Sequence, residues 1–359
     1  MINIQYRLID LIDDMRGGKD VIFQSIRTAE DIMTYDVKTL TLDDTIKTCL
    51  EFMENNNIRH VPVIDVPSEK GEKPYFVGVV SQRDVFRQIS PYLGKVGEVE
   101  ADTKSILQQL GRIVTRNPIC VSPETEIPEM LTLMLDNHID MVPVLVNDEL
   151  AGIVTTADFI KLFVRLDSIR QLYINSGSVG KNRRLVDLLA GGSDDVAAAL
   201  ASILRKVEDI MTEQVVCLSE HDKLAEAMKV MQKGQFRHVP VVDKEMKILG
   251  IISDRDILRH LPMLSRQHQT KSKVFRSHLF DVDPEDSSLE LPLSRIMSSN
   301  VFHVSPSCSF FEAIKTLDEE KISCLPVVDE GRKIQGILTV TDLMRGLLAA
   351  CTLTAKSRG

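Results

Sequence analysis

Tryptophan is absent from the 359 residues, and aromatic side chains make up only 5%. That leaves little against which single-stranded bases could stack. Basic residues are outnumbered: Lys+Arg 43 against Asp+Glu 52 gives a formal net charge of −9, which argues against a protein that coats nucleic acid. No apolar run approaches the roughly 20 residues that a bilayer-spanning helix needs. The N-terminal stretch MINIQYRLIDLIDDMRGG is acidic where a secretion signal is basic, and it has no small-residue cleavage site. Six cysteines (Cys49, Cys120, Cys217, Cys308, Cys324, Cys351) form no C-x-x-C pair, as expected of reduced thiols in a cytoplasmic protein. G-x-x-x-x-G-K-[ST], H-E-x-x-H and G-x-S-x-G are all missing, and the histidines make no metal-ligand spacing with the cysteines. With no nucleophile–base pair in sight, the expectation is no enzymatic activity, no catalytic residue and no bound metal.

What is present is a fourfold repeat. DIMT occurs twice, ending at Thr34 and Thr212, and weaker copies end at Thr115 and Ser298. Twenty-eight residues beyond each stands a proline: Pro62, Pro143, Pro240, Pro326. A glycine follows (Gly78, Gly152, Gly250, Gly336), then a hydroxyl three residues on (Ser81, Thr155, Ser253, Thr339), then an aspartate (Asp84, Asp158, Asp256, Asp342). Every copy therefore carries G-h-h-[ST]-x-x-D, where h is apolar.

Periodicity changes in a fixed order within each copy. Ile46, Cys49, Leu50 and Met53 keep the i, i+3, i+4, i+7 spacing of one helix face, and the other copies match them position for position. A β-branched run around the proline and a second run ending at the glycine motif read as a strand pair. Helical periodicity returns after the aspartate. Each unit is thus β-α-β-β-α and roughly 55 residues long, too small to bury a full core alone, so the copies should pack on one another.

The Ser/Thr-x-x-Asp motif is first of all a helix N-terminal capping signal. The same geometry suits a phosphate at the helix N-terminus and a ribose diol at the carboxylate. Capping does not explain the preceding glycine, which in a strand marks close approach of a ligand or another backbone. Basic residues are unevenly spread. Repeats one and three carry Arg59-His60 and Arg237-His238 before the proline, with Arg83 and Arg255 inside the motif; repeats two and four have Asp140-Met141 and Ser323-Cys324, with Ala157 and Thr341. Matched arginines in only the odd copies suit phosphate contact, to which histidine can add a pH-dependent one.

The DIMT start, the VPV strand and the G-h-h-[ST]-x-x-D motif together resemble cystathionine-β-synthase (CBS) domains. The resemblance covers 31–90, 112–166, 207–261 and 294–349, after an N-terminal extension 1–30 and around an inter-module linker 167–206. It implies an α/β (α+β) fold of four repeats, paired into two Bateman modules that form a flat disc like the AMP-activated protein kinase γ subunit. It implies a regulatory energy sensor binding AMP, ADP or ATP in clefts between repeats, with magnesium allowed alongside the phosphates, and signalling to a separate effector protein. Carried over by position, Asp84, Asp158, Asp256 and Asp342 face ribose. Ser81, Thr155, Ser253 and Thr339, with Arg59, His60, Arg83, Arg237, His238 and Arg255, face phosphate, giving one phosphate-rich site per module supported by the odd copies. Thr34, Thr115, Thr212 and Ser298 line the base slot. Two alternatives stay open: a scaffold with vacant clefts, and a binder of S-adenosylmethionine or a cyclic dinucleotide. Composition does not decide whether two chains form a homodimer.

Overall fold

The computed structural model describes residues 27–67, 73–88, 104–164, 206–234, 236–259 and 290–356. Most of the N-terminal extension and of the linker 167–206, and the polar stretch 262–289, lie outside the described residues. The first repeat runs α1 (Ala29–Ile32), β1 (Leu40–Thr41), α2 (Ile46–Asn56), β2 (His60–Asp65), β3 (Tyr75–Ser81), α3 (Gln82–Gln88). The second runs β4 (Thr115–Arg116), α4 (Ile127–Asp136), β5 (Met141–Val146), β6 (Glu149–Thr155), α5 (156–164). The third runs β7 (Leu218–Ser219), α6 (Leu224–Gly234), β8 (His238–Val242), β9 (Ile248–Ser253), α7 (Asp254–Arg259); the fourth runs α8 (Phe310–Glu319), β10 (Cys324–Val328), β11 (Ile334–Thr339), α9 (Val340–Lys356). No helix among the described residues is long and apolar enough to cross a membrane.

The expected β-α-β-β-α order is present, with a minimal leading strand. It is two residues in repeats one and three, parallel to the proline strand, and a single parallel bridge in the others, Val121 to Val144 and Val304 to Val327. The main hairpin is antiparallel in every repeat. Each motif glycine faces the valine after the proline (Val63 to Gly78, Val144 to Gly152, Val241 to Gly250, Val327 to Gly336), and the register shifts just beyond it. The helix faces predicted from periodicity are buried, with Met228 alone half-buried, on the wall of a cavity described below.

The repeats exchange their opening segments. Thr34 and Ile153 exchange both backbone hydrogen bonds, N–H to O at 2.9 and 3.1 Å. Thr212 pairs likewise with Ile337, and Ser298 with Ile251. Thr115 pairs with Val79 through β4. Each opening residue thus binds the residue after the motif glycine of the neighbouring repeat, one with two and three with four. Side chains follow: Ala29, Ile32 and Met33 enter the core of repeat two, and Leu110 enters that of repeat one. Val207 enters that of repeat four, and Leu293 and Ile296 enter that of repeat three.

This exchange explains the glycine. A methyl group on Gly78 would lie 2.2 Å from the Thr115 carbonyl oxygen, and one on Gly250 would meet the Met297 side chain at 2.4 Å. The close neighbour is the partner repeat rather than a ligand. Gly78→Ala must push β3 and β4 apart, and is expected to cost about 1–3 kcal/mol. A denaturant midpoint unchanged from the parent would show that the exchange is loose.

The two modules meet through the even repeats. One apolar core joins Met130, Leu131, Phe159 and Phe163 of repeat two to Phe310, Leu343 and Leu347 of repeat four. The rings of Phe163 and Phe310 meet edge-to-face, with centroids 5.3 Å apart. Each such fully buried side chain contributes about 1.5–3 kcal/mol. The odd repeats keep separate cores.

Candidate functional site

Two cavities lie where these pieces converge. The larger, about 910 Å³, is lined by Ser81, Arg83 and Asp84 of the first motif, by Thr115 and Ile119 opening repeat two, and by His60, Asp140 and Arg237. The smaller, about 420 Å³, is lined by Thr339 and Asp342 of the fourth motif, by Thr212 and Val216 opening repeat three, and by Arg83, Asp140, Arg237 and His238. Both volumes suit a nucleotide-sized ligand. Each cavity takes its hydroxyl–carboxylate motif from one repeat and its opening segment from the neighbour that the exchange brings across. Thr34, Thr155 and Asp158, and likewise Ser253, Asp256 and Ser298, line neither cavity.

In all four motifs the capping geometry is realised. One carboxylate oxygen of Asp84, Asp158, Asp256 and Asp342 accepts from the backbone N–H of the hydroxyl residue at 2.8–2.9 Å and from its hydroxyl at 2.6 Å. The hydroxyl hydrogens are therefore spent inside the motif, which leaves phosphate contact mainly to the arginines. The second oxygen, Oδ1, differs between copies. In Asp342 it accepts from the Thr212 hydroxyl at 3.0 Å and faces Arg345 at 3.4 Å. In Asp158 it pairs with Lys161 at 2.8 Å.

The four residues standing 25 places beyond the opening Thr/Ser are Arg59, Asp140, Arg237 and Ser323. They converge between the modules. Arg237 pairs with Asp140, and Arg59 Nη2 reaches Ser323 Oγ at 3.5 Å, which also lies 3.3 Å from His238 Nε2. Arg59 Nε is buried with no hydrogen-bond partner. Burial and the neighbouring Arg237 and Arg255 lower the Arg59 pKa to about 10, so it stays charged at neutral pH. Burial pushes His60 down to about 4, against the opposing pull of Asp140, and holds His238 well below its ordinary value. Both imidazoles are thus neutral at pH 7.

The Arg-His pairs divide between these roles. His60 lines the larger cavity and Arg59 lines neither, whereas Arg237 lines both cavities and His238 the smaller. Ile119 (36% exposed) and Val216 (49% exposed) offer apolar faces suited to a base, and nothing in a single side chain of the sequence marks them. Arg255 and Arg59 act on the cluster through charge and line neither of the two cavities. Burial raises the thiols of Cys49 and Cys324 to about 12, so neither is a nucleophile. Among the described residues no group of three or more His, Cys, Asp or Glu could hold a metal ion.

Comparison with known proteins agrees with this architecture. The CBS domain model matches residues 29–91, 110–165, 207–263 and 293–349. Protein MJ1225 of Methanocaldococcus jannaschii is 24% identical over 263 residues, covering 70% of this chain and 80% of its own length. A 33.4 kDa protein from the ribosomal RNA operon of Thermofilum pendens is 26% identical over 305 residues, 82% of each chain. The crystal structure of MJ1225, presented as a proposed archaeal homologue of the AMP-activated protein kinase γ subunit, matches with a TM-score of 0.64 at 20% identity, over 89% of this chain and 99% of that one. At that identity the likeness speaks for the fold.

Proposed function

The chain belongs to the CBS-domain family, with four copies of the domain in two pairs, and from that premise we propose that it is a non-catalytic regulatory protein that binds adenine nucleotides between paired repeats. The observation that carries this reading is the composition of the two cavities. Each combines a motif carboxylate, an apolar residue suited to a base, and the shared arginines Arg83 and Arg237. Ribose would sit at Asp84 and Asp342, phosphates at Arg83, Arg237 and the paired histidines, and the base against Ile119 or Val216.

The route to an effector runs through the module interface. Arg237–Asp140 and Arg59–Ser323 each join one module to the other. A phosphate that takes Arg237, which lines both cavities, changes the contacts between modules, and two ligands of different charge hold it differently. That differential is what a population shift requires.

Calorimetric titration with AMP, ADP, ATP and S-adenosylmethionine tests the reading, on protein stripped of carried-over ligand. Asp84→Ala is expected to weaken nucleotide binding at the larger cavity by at least about tenfold, the loss of one charge-assisted hydrogen bond, and to cost about 1 kcal/mol of stability through the cap. Absence of heat with every adenosine ligand would favour a scaffold with vacant clefts.

A further inference from the structure

We propose that Asp140 is a built-in counter-anion that holds Arg237 when no ligand is bound and thereby sets how strongly each cavity favours ligands of high negative charge. The inference rests on the reading of the cavities as phosphate sites and names what regulates them.

Asp140 comes from repeat two and Arg237 from repeat three, 97 residues apart, and they form an ion pair in which both side chains are at most 17% exposed. Both residues line both cavities, as does Arg83. The pair is therefore part of a common wall. Asp140 stands at the position that is arginine in repeats one and three and serine in repeat four, so it is the one acid at the four-way junction of matched residues. It opens the strand pair at Met141, directly across from Thr155, so the backbone holds it close to where it lies.

An anion entering either cavity has to compete with this carboxylate for the Arg237 guanidinium. A displaced carboxylate remains within the same wall, where low exposure strengthens repulsion between like charges. The penalty grows with ligand charge. It is nil for adenosine, moderate for a monophosphate and largest for a triphosphate. Arg59, Arg83 and Arg255 offset it only in part, because Asp254 also lies within reach of Arg59. Without Asp140 the cluster would favour the most highly charged anion available. With it, the cavities are biased back toward ligands carrying fewer phosphates.

The test uses the full chain with sodium tripolyphosphate, adenosine, AMP and ATP in magnesium-free buffer. The variants are Asp140→Asn, Asp140→Ser, which installs the residue of repeat four, and Asp140→Glu, which keeps the charge. Asp140→Asn and Asp140→Ser are expected to bind tripolyphosphate about tenfold more tightly than the parent and to raise the ratio of ATP to AMP affinity by a similar factor. Adenosine should bind them as it binds the parent, and Asp140→Glu should keep the parental ratio. Thermal melts identify a variant that fails to fold; the second neutral variant then decides.

Tripolyphosphate binding that is unchanged in both neutral variants, or absent throughout, overturns the inference. So does an equal gain for adenosine, because that is a change of shape rather than of charge. The two readings fail separately. If AMP and ATP do not bind the parent while tripolyphosphate binding tightens in Asp140→Asn, the nucleotide reading falls and the counter-anion stands. If AMP binding depends on Asp84 but tripolyphosphate is indifferent to Asp140, the counter-anion falls alone.

Discussion

Arg237→Ala is expected to weaken ATP binding about 100-fold, from the loss of charge-assisted hydrogen bonds worth about 1.5–3 kcal/mol. Both cavities should lose affinity, because Arg237 lines both. The substitution also strands Asp140 as a little-exposed negative charge. Breaking such a pair costs about 3 kcal/mol of stability, most of it the penalty for the unpaired partner. The double variant Arg237→Ala/Asp140→Ala separates the two effects. It should regain most of the lost stability while ATP binding stays weaker than in the parent. Parental ATP affinity in Arg237→Ala would show that the cavities do not use this arginine, and would remove the central support for a phosphate site.

The second large effect is on stability against pH. His60 lies among Arg59, Arg83, Arg237 and Asp140, and His238 among Arg59, Arg237 and Arg255, with Ser323 beside its ring. Burial holds both pKa values below the ordinary 6.5, that of His60 at about 4. The unfolded chain therefore takes up protons at these two positions as pH falls below 6.5, while in the folded protein His60 does so only at about 4 and His238 only well below its ordinary value. Their contribution is complete above pH 6.5 and is lost as pH falls below it, that of His60 between there and about pH 4. The slope is about 1.4 kcal/mol per pH unit for each imidazole. Denaturant melts from pH 7 to pH 4.5 should show it, and His60→Gln/His238→Gln should flatten the curve by up to two protons. A double variant that titrates like the parent would mean that the imidazoles are charged in the fold. A bound phosphate works the other way: it raises the pKa of His60 or His238, so binding takes up protons and tightens as pH drops.

Much of this architecture can be read from the residues. The 28-residue spacing to the proline and the helix faces such as Ile127, Met130, Leu131 and Met134 set out four equivalent units, and these side chains are buried as expected. The motif glycine was ambiguous between a ligand and another backbone. Only the approach of Thr115 to Gly78 and of Met297 to Gly250 identifies the neighbour. The exchange of opening segments leaves no trace in local periodicity, since Thr34 meets Ile153 and Thr212 meets Ile337 far along the chain. For the same reason the sequence makes Asp140 and Ser323 look like positions that lack a basic residue. In the folded protein they face Arg237 and Arg59 across 97 and 264 residues. The smaller cavity also joins an odd-repeat pair, Arg237 and His238, to the motif of repeat four. Matching the repeats one by one could not foresee that.

The convergence of Arg59, Asp140, Arg237 and Ser323 has a meaning for how a four-repeat chain differs from a dimer of two-repeat chains. In a twofold dimer every residue near the axis appears twice. The first half joined to itself in this way would centre on two arginines and two aspartates, a neutral quartet. The second half joined to itself would centre on two arginines and two serines, a doubly positive one. Tandem linkage gives up the symmetry and lets each corner change alone, leaving an excess of one positive charge. Single substitutions can then retune this centre in steps of one charge, where a symmetric assembly could move only in steps of two.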